Sequence, residues 1–149
     1  GQKDVVKMLL ERDDVNPDSV RQGDGMTTLI WAVEGNHIEV VQLLLSQQSL
    51  DPNIPDNLGQ TPLHWAVIKN HKEVTELLLG RKDLNPNMHD GLGETPLIKA
   101  VSLDRREITK CLLNRRDVAP YLRDGAGNTP LMFAIVEERE EIARLLLSR

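Results

Sequence analysis

One cysteine, Cys111, is all this chain has, so no intramolecular disulfide can form. That favours a reducing, intracellular setting, and a cytoplasmic one is expected. Aromatics make up only 3% of the 149 residues, so Leu, Val, Ile and Ala must build the core. No apolar run approaches the ~20 residues that span a bilayer, and there is no signal-peptide pattern, so no membrane partner is expected. Excess positive charge is also missing. The net charge of −5 disfavours attraction to a phosphate backbone, so no nucleic-acid partner is expected. Hydrophobic residues at 40% and charged residues at 28% fit a folded chain rather than a disordered one.

What the chain does have is self-similarity. GMTTLIWAV begins at Gly25, GQTPLHWAV at Gly59, GETPLIKAV at Gly93 and GNTPLMFAI at Gly127, each 34 residues after the last. A fixed period of this size marks a solenoid. The run Gly59 to Ala66, Gly-x-Thr-Pro-Leu-His-x-Ala, resembles the core motif of the ankyrin repeat. The resemblance covers nearly the whole chain. It implies an all-α solenoid of stacked helix–turn–helix pairs with projecting finger loops, and a protein-binding role.

The spacing divides the chain into a partial repeat over 1–21, full repeats over 22–55, 56–89 and 90–123, and a final helix pair over 124–149. Lys3 to Pro17 aligns with Ile38 to Pro52 at an offset of 35, so the first connecting loop is one residue longer. The expectation is nine helices and a fragment of a longer array. Thr61, Thr95 and Thr129 suit N-caps, with Pro62, Pro96 and Pro130 at the first helical position. Thr27–Thr28 lacks the proline and should start less sharply. Leu63, Ala66 and Val67 share one face. Glu39, Glu73, Glu107 and Glu141 fall in the first turn of the second helices, where negative charge suits the dipole. Asp4 takes that place in the partial copy.

Between the helices, where the family places glycine, stand Asn36, Asn70, Asp104 and Glu138. A left-handed residue is expected there, and Glu tolerates it least. Pro17, Pro52, Pro86 and Pro120 should fix the exit from each helix pair. Asp56, Asp90 and Asp124, three residues before a repeat glycine, are turn formers. The Asn-Pro loop and Trp-Ala pair look most similar to ankyrin arrays of large fungal multidomain proteins, some of which carry nucleotide-binding modules.

Chemistry is sparse. His37 and His71 lie one repeat apart, about 10 Å by helix packing distances, too far to share an ion. Each is expected to hold its own interhelical turn. His64 should bond locally near Thr61, and His89 has no obvious partner. Cys111, in a position that is Leu43, Leu77 and Leu145 elsewhere, is expected to be a buried structural thiol. Arg105–Arg106 and Arg115–Arg116 read as solvated helix ends. No phosphate-binding glycine-rich motif is present. No catalytic residue, metal or cofactor is assigned, and the chain is not expected to be an enzyme.

The leading functional reading is therefore a module that binds another protein through its concave side, itself a monomer in isolation. The alternative is a structural spacer or regulatory region of a larger protein with an attached nucleotide-binding or catalytic domain. At 100° per residue, Trp65, Ile68 and Lys69 lie opposite the buried stripe, as do Trp31, Lys99, Leu103 and Phe133 in the sister copies. At the finger tips stand Asp24, Met26, Asn57, Leu58, Gln60, Leu92, Glu94 and Asn128. These fifteen residues form the candidate surface. The aromatics could instead pack between neighbouring first helices, and the two leucines could fold under their fingers.

Overall fold

The computed structural model describes residues 4, 5, 7, 8 and 16–149. From residue 16 on, the described residues form eight helices in four pairs: α1 Thr28–Glu34 with α2 Ile38–Leu45, α3 Pro62–Ile68 with α4 Lys72–Leu79, α5 Pro96–Ser102 with α6 Arg106–Asn114, and α7 Pro130–Val136 with α8 Glu140–Leu147. The first helices pack in one row, α1 on α3 on α5 on α7. The second helices pack in a parallel row, α2 on α4 on α6 on α8. Among the described residues there is no strand, only a single antiparallel bridge between Val20 and Thr27. The helix expected in the partial repeat lies mostly outside the described residues, although Asp4, Val5, Lys7 and Met8 are helical.

Every first helix begins on a threonine whose Oγ1 accepts an N–H three residues on. Thr27 caps Ile30 at 3.1 Å and Thr95 caps Ile98 at 3.3 Å. Each such bond satisfies one of the orphan donors at a helix start. The absence of proline does not blunt α1, which starts at Thr28, directly after its cap, as its sisters start at their prolines. The interhelical turn is left-handed as expected, with φ of 53° at Asn36, 61° at Asn70, 55° at Asp104 and 55° at Glu138.

The core runs along the stack between the two rows. Leu63, Ala66, Val67, Val74 and Leu78 are fully buried, and so are their counterparts in α5 and α6. Leu50, Leu84 and Val118, just before the loop prolines, extend it beneath the loops. No repeat could bury these faces alone, so stability resides mostly between neighbours. Thr75 and Thr109 are buried without cost, because each hydroxyl donates to the carbonyl of the residue four before it.

Polar contacts bind each repeat to the one before it, and several correct the sequence reading. His71 Nε2 lies 3.3 Å from the Glu34 carbonyl of the preceding repeat rather than holding its own turn. Arg105 does the same to Ile68, and Arg139 to Val101. Arg115 is not a solvated helix end. Its guanidinium donates to the carbonyls of Leu79, Arg81 and Leu84, and Arg81 donates in the same way to Leu45, Gln47 and Leu50. In the loops, Asn53 Nδ2 donates to the Asp83 carbonyl while its Oδ1 accepts from Asn85 N–H. Asn87 repeats both bonds with Asp117 and Ala119.

Candidate functional site

The fingers owe their shape to one aspartate each. Asp56 Oδ1 accepts the N–H groups of Leu58 and Gln60, both at 2.9 Å. Asp90 does this for Leu92 and Glu94, and Asp124 for Ala126 and Asn128. Successive fingers join through their backbones: Gly91 N–H donates to Leu58 O at 2.8 Å, and Gly125 N–H to Leu92 O at 3.0 Å. Gly59 has a φ of 75°, and a Cβ there would meet the Gly91 nitrogen at 2.8 Å, so only glycine lets the fingers come this close.

With both carbonyl and Asp bonds directed inward, the side chains of Leu58 and Leu92 are left outside. They are 65% and 70% exposed, so neither folds under its finger. Trp31, Leu103 and Lys69 are exposed too. Ile68, Gln60, Trp65 and Phe133 are half-buried. Trp65 and Phe133 pack against the core with part of each ring.

Trp65 is also tied down at its edge, where Nε1 donates to Asp56 Oδ2 at 2.9 Å. Lys69 Nζ sits 5.4 Å from that ring's centre and 3.0 Å from Glu34 Oε1, bridging the ends of α3 and α1. Trp31 carries the Arg21 guanidinium over its face at 4.6 Å. Arg21 pairs with Asp24, whose pKa falls to about 2 chiefly because of that hydrogen bond.

Other candidates are engaged or hidden. Met26 is buried, although its finger closes through the same backbone bond as the others, Arg21 N–H to Met26 O at 2.9 Å. Lys99 is buried too. It pairs with Asp90 at 3.2 Å and with Glu94, so neither Lys99 nor Glu94 is a free finger or groove charge. Burial alone would lower the Lys99 pKa, but hydrogen bonds to Glu94 and Asp90 raise it above its usual value. Asn57 Nδ2 donates to Gly23 O at 2.8 Å, and Asn128 Nδ2 to Asp124 Oδ2 at 3.1 Å, so both amides hold fingers.

Two shallow cavities border the candidate surface. Arg21 and Val20 join Met26, Thr27, Thr28 and Trp31 around a shallow cavity at the first finger. Val136 joins Asn128, Met132, Phe133 and Glu137 around another on α7. The lone signal for the first was the extra residue in its loop.

His64 is fully buried and bonds locally as expected. Its Nδ1 accepts from Thr61 N–H at 3.2 Å, while Nε2 reaches Glu94 O at 3.0 Å and so also bridges to the next repeat. His37 and His89 are exposed. Cys111 is half-buried rather than buried, like Leu43, Leu77 and Leu145 at the same helix position. Its Sγ lies 3.4 Å from Glu76 Oε1, and burial together with that carboxylate pushes the thiol pKa up. A raised pKa works against thiolate reactivity. Among the described residues no group of three or more His, Cys, Asp or Glu is placed to hold a metal ion. Among the same residues no helix is long and apolar enough to cross a membrane.

A family model for ankyrin repeats, in three copies, matches residues 1–90 and again residues 80–149. No curated protein matches the chain.

Proposed function

The chain belongs to the ankyrin-repeat family, and on that premise we propose that it binds a partner protein through the surface made by the finger tips and the outer sides of α1, α3, α5 and α7. Ankyrin repeats are in general protein–protein interaction modules. The observation that supports this site is the exposure of Leu58 and Leu92 at finger tips whose polar atoms are already bonded inward. Trp31 and Leu103 continue the apolar strip onto the helices. Large exposed apolar residues in a row mark binding surfaces, and tryptophan is favoured at hot spots. Asp24, Asn57, Gln60, Trp65, Ile68, Lys69, Asn128 and Phe133 border the strip. Met26, Glu94 and Lys99 support it from beneath.

The Asn-Pro loops and the Trp31-Ala32 and Trp65-Ala66 pairs further support a kinship with arrays of large fungal multidomain proteins. The single cysteine fits an intracellular, cytoplasmic setting.

The test is the double change of Leu58 and Leu92 to Ser. Binding to a partner isolated with the native chain should weaken by about 1 kcal/mol or more, with the melting temperature nearly constant. Lost stability with unchanged affinity of the folded fraction would move the site to Trp65, Ile68 and Leu103.

A further inference from the structure

The loops carrying Pro17, Pro52, Pro86 and Pro120 are joined in a row, each to the next by the residue after its proline. Two of these three junctions are alike. Asn53 Oδ1 accepts Asn85 N–H at 2.7 Å while its Nδ2 donates to Asp83 O at 3.0 Å. Asn87 repeats this fork with Ala119 N–H at 2.8 Å and Asp117 O at 2.7 Å. At the first junction the same place belongs to Asp18, which follows Pro17 as Asn53 follows Pro52. All three side chains are half-buried.

An ionised carboxylate only accepts, whereas an amide accepts at one atom and donates at the other. Asp18 therefore makes half of the fork. Both of its oxygens share one donor, Asp51 N–H, at 3.1 Å and 3.2 Å. The register puts the Ser49 carbonyl where Asp83 O and Asp117 O receive their N–H, and an ionised Asp18 has no hydrogen to give it. Among the described residues, the charges acting on Asp18 are those of Asp51 and Arg81. Burial is the largest influence and raises the Asp18 pKa above 3.8. The Asp51 N–H and Arg81 pull against that rise, and the Asp51 carboxylate adds to it.

We propose that Asp18 is an acid-closed staple between the first two of these loops. With a proton taken from solvent, its carboxyl has the form of the amide: the O–H donates to Ser49 O, and the other oxygen keeps the Asp51 N–H. The junction then gains the second bond that the later two hold at every pH. A carboxyl whose folded pKa is raised adds stability that is complete below its unfolded pKa and is lost as pH rises through the folded one. The first junction is thus half-made at neutral pH and closes on acidification. Two residues on, Val20 bridges Thr27, and Arg21 lies over Trp31, so the staple stands at the base of the first finger. It is independent of what the finger strip binds.

The experiment reads the hydrogen-exchange protection factor of the Asp51 amide in the full chain at about pH 7 and about pH 4. Asp18→Asn supplies the donor permanently, and Asp18→Ala removes donor and acceptor together. At the higher pH the Asn variant should protect Asp51 N–H about three- to tenfold better than the native chain, the worth of one net hydrogen bond. The Ala variant should protect it less well than the native chain. On acidification the lead of the Asn variant should shrink as the native carboxyl protonates, while changes elsewhere, His64 included, are common to both chains. The carbon-13 shift of the Asp18 carboxyl should titrate above 3.8. The proposal is overturned if the Asn variant gains nothing at the higher pH, if its lead is the same at both, or if the carboxyl titrates at or below 3.8. It is equally overturned if Asp18→Ala gains as much as Asp18→Asn, because loss of the charge, not supply of a donor, would then be what tightens the loops.

Discussion

Lys99 Nζ stands 3.2 Å from Asp90 Oδ2 beneath the third finger, in the place where Trp65 Nε1 reaches Asp56 Oδ2 one repeat earlier. The finger aspartate spends one oxygen on two backbone N–H groups and offers the other to the residue nine positions on. In the last finger that residue is Phe133, which has no donor, and Asp124 Oδ2 takes Asn128 Nδ2 instead. Asp90 Oδ2 is buried and relies on the Lys99 ammonium. Lys99→Met should therefore leave a buried charge without its counter-ion and destabilise the chain by about 2 kcal/mol in urea unfolding, since Asp90 keeps its two backbone donors. Lys99→Met combined with Asp90→Asn should recover part of the loss. A single variant as stable as the native chain would show that the pair contributes nothing.

The same pair gives a pH expectation. Burial alone would raise the Asp90 pKa, but the N–H groups of Glu94 and Leu92 and the Lys99 ammonium outweigh it and hold it below 3.8. A depressed carboxylate adds stability that is lost as pH falls through its folded pKa, and a raised ammonium adds stability lost only as pH rises through its own. The pair should thus be at full strength across the neutral range. His64 is different. Burial pulls its pKa below 6.5, with the Glu94 carbonyl and Asp90 opposing that pull. Its share of stability is present above the unfolded pKa and fades as pH falls below about 6.5. The urea midpoint should decline between about pH 7 and pH 5, and His64→Ile should flatten that decline. Isoleucine already fills this position without exposure at Ile30 and Ile98. An equal slope in the variant would assign the decline to other groups.

Glu138 holds a φ of 55° that Asn36, Asn70 and Asp104 share with less strain. Glu138→Gly should stabilise the chain by up to about 1 kcal/mol, less the extra entropy that glycine has when unfolded. Glu138→Asn should give a smaller gain. Thermal melts of both variants decide this, and a destabilised glycine variant would refute the strain.

What the sequence revealed was whatever a single repeat states about itself. Thr61 with Pro62 marks a helix start, Asn70 a left-handed turn and Asp56 a finger, because each acts on atoms a few residues away. What it hid was contact between separate segments, both across repeats, as in Arg115 with Leu79, and between finger and helix within one repeat. Lys99 lies opposite its own helix's buried stripe, yet the Asp90 finger folds over it. Met26 is buried where its counterparts Gln60, Glu94 and Asn128 are half-buried, and nothing in the residues around it signals that. Cys111 was misjudged because leucine at a sister position reads as core, although Leu77 and Leu145 are themselves only half-buried. The arginine contacts had a signal in Arg-x-Asp at 81–83 and 115–117, one period apart.

That signal leads to the last prediction. Arg115 uses all five of its N–H groups. Nε and Nη2 grip Asp117 at 2.8 Å and 3.0 Å, Nη1 reaches the carbonyls of Leu79 and Arg81, and Nη2 also reaches Leu84 O at 2.8 Å. Leu79 ends α4, so its carbonyl is one of those a helix leaves without a partner. Asp117 is half exposed, and its role is to fix the fork in place; the hydrogen bond from Arg115 lowers its pKa. Arg115→Lys keeps the charge but offers three donors from one point, which cannot span three carbonyls and a carboxylate. It should cost about 1–2 kcal/mol, close to the cost of Arg115→Ala, whereas Asp117→Asn should cost clearly less. Hydrogen exchange should place the loss locally, at the C-terminal end of α4 and in the loop through Leu84. If Lys restores stability that Ala does not, charge rather than the fork is what joins these repeats.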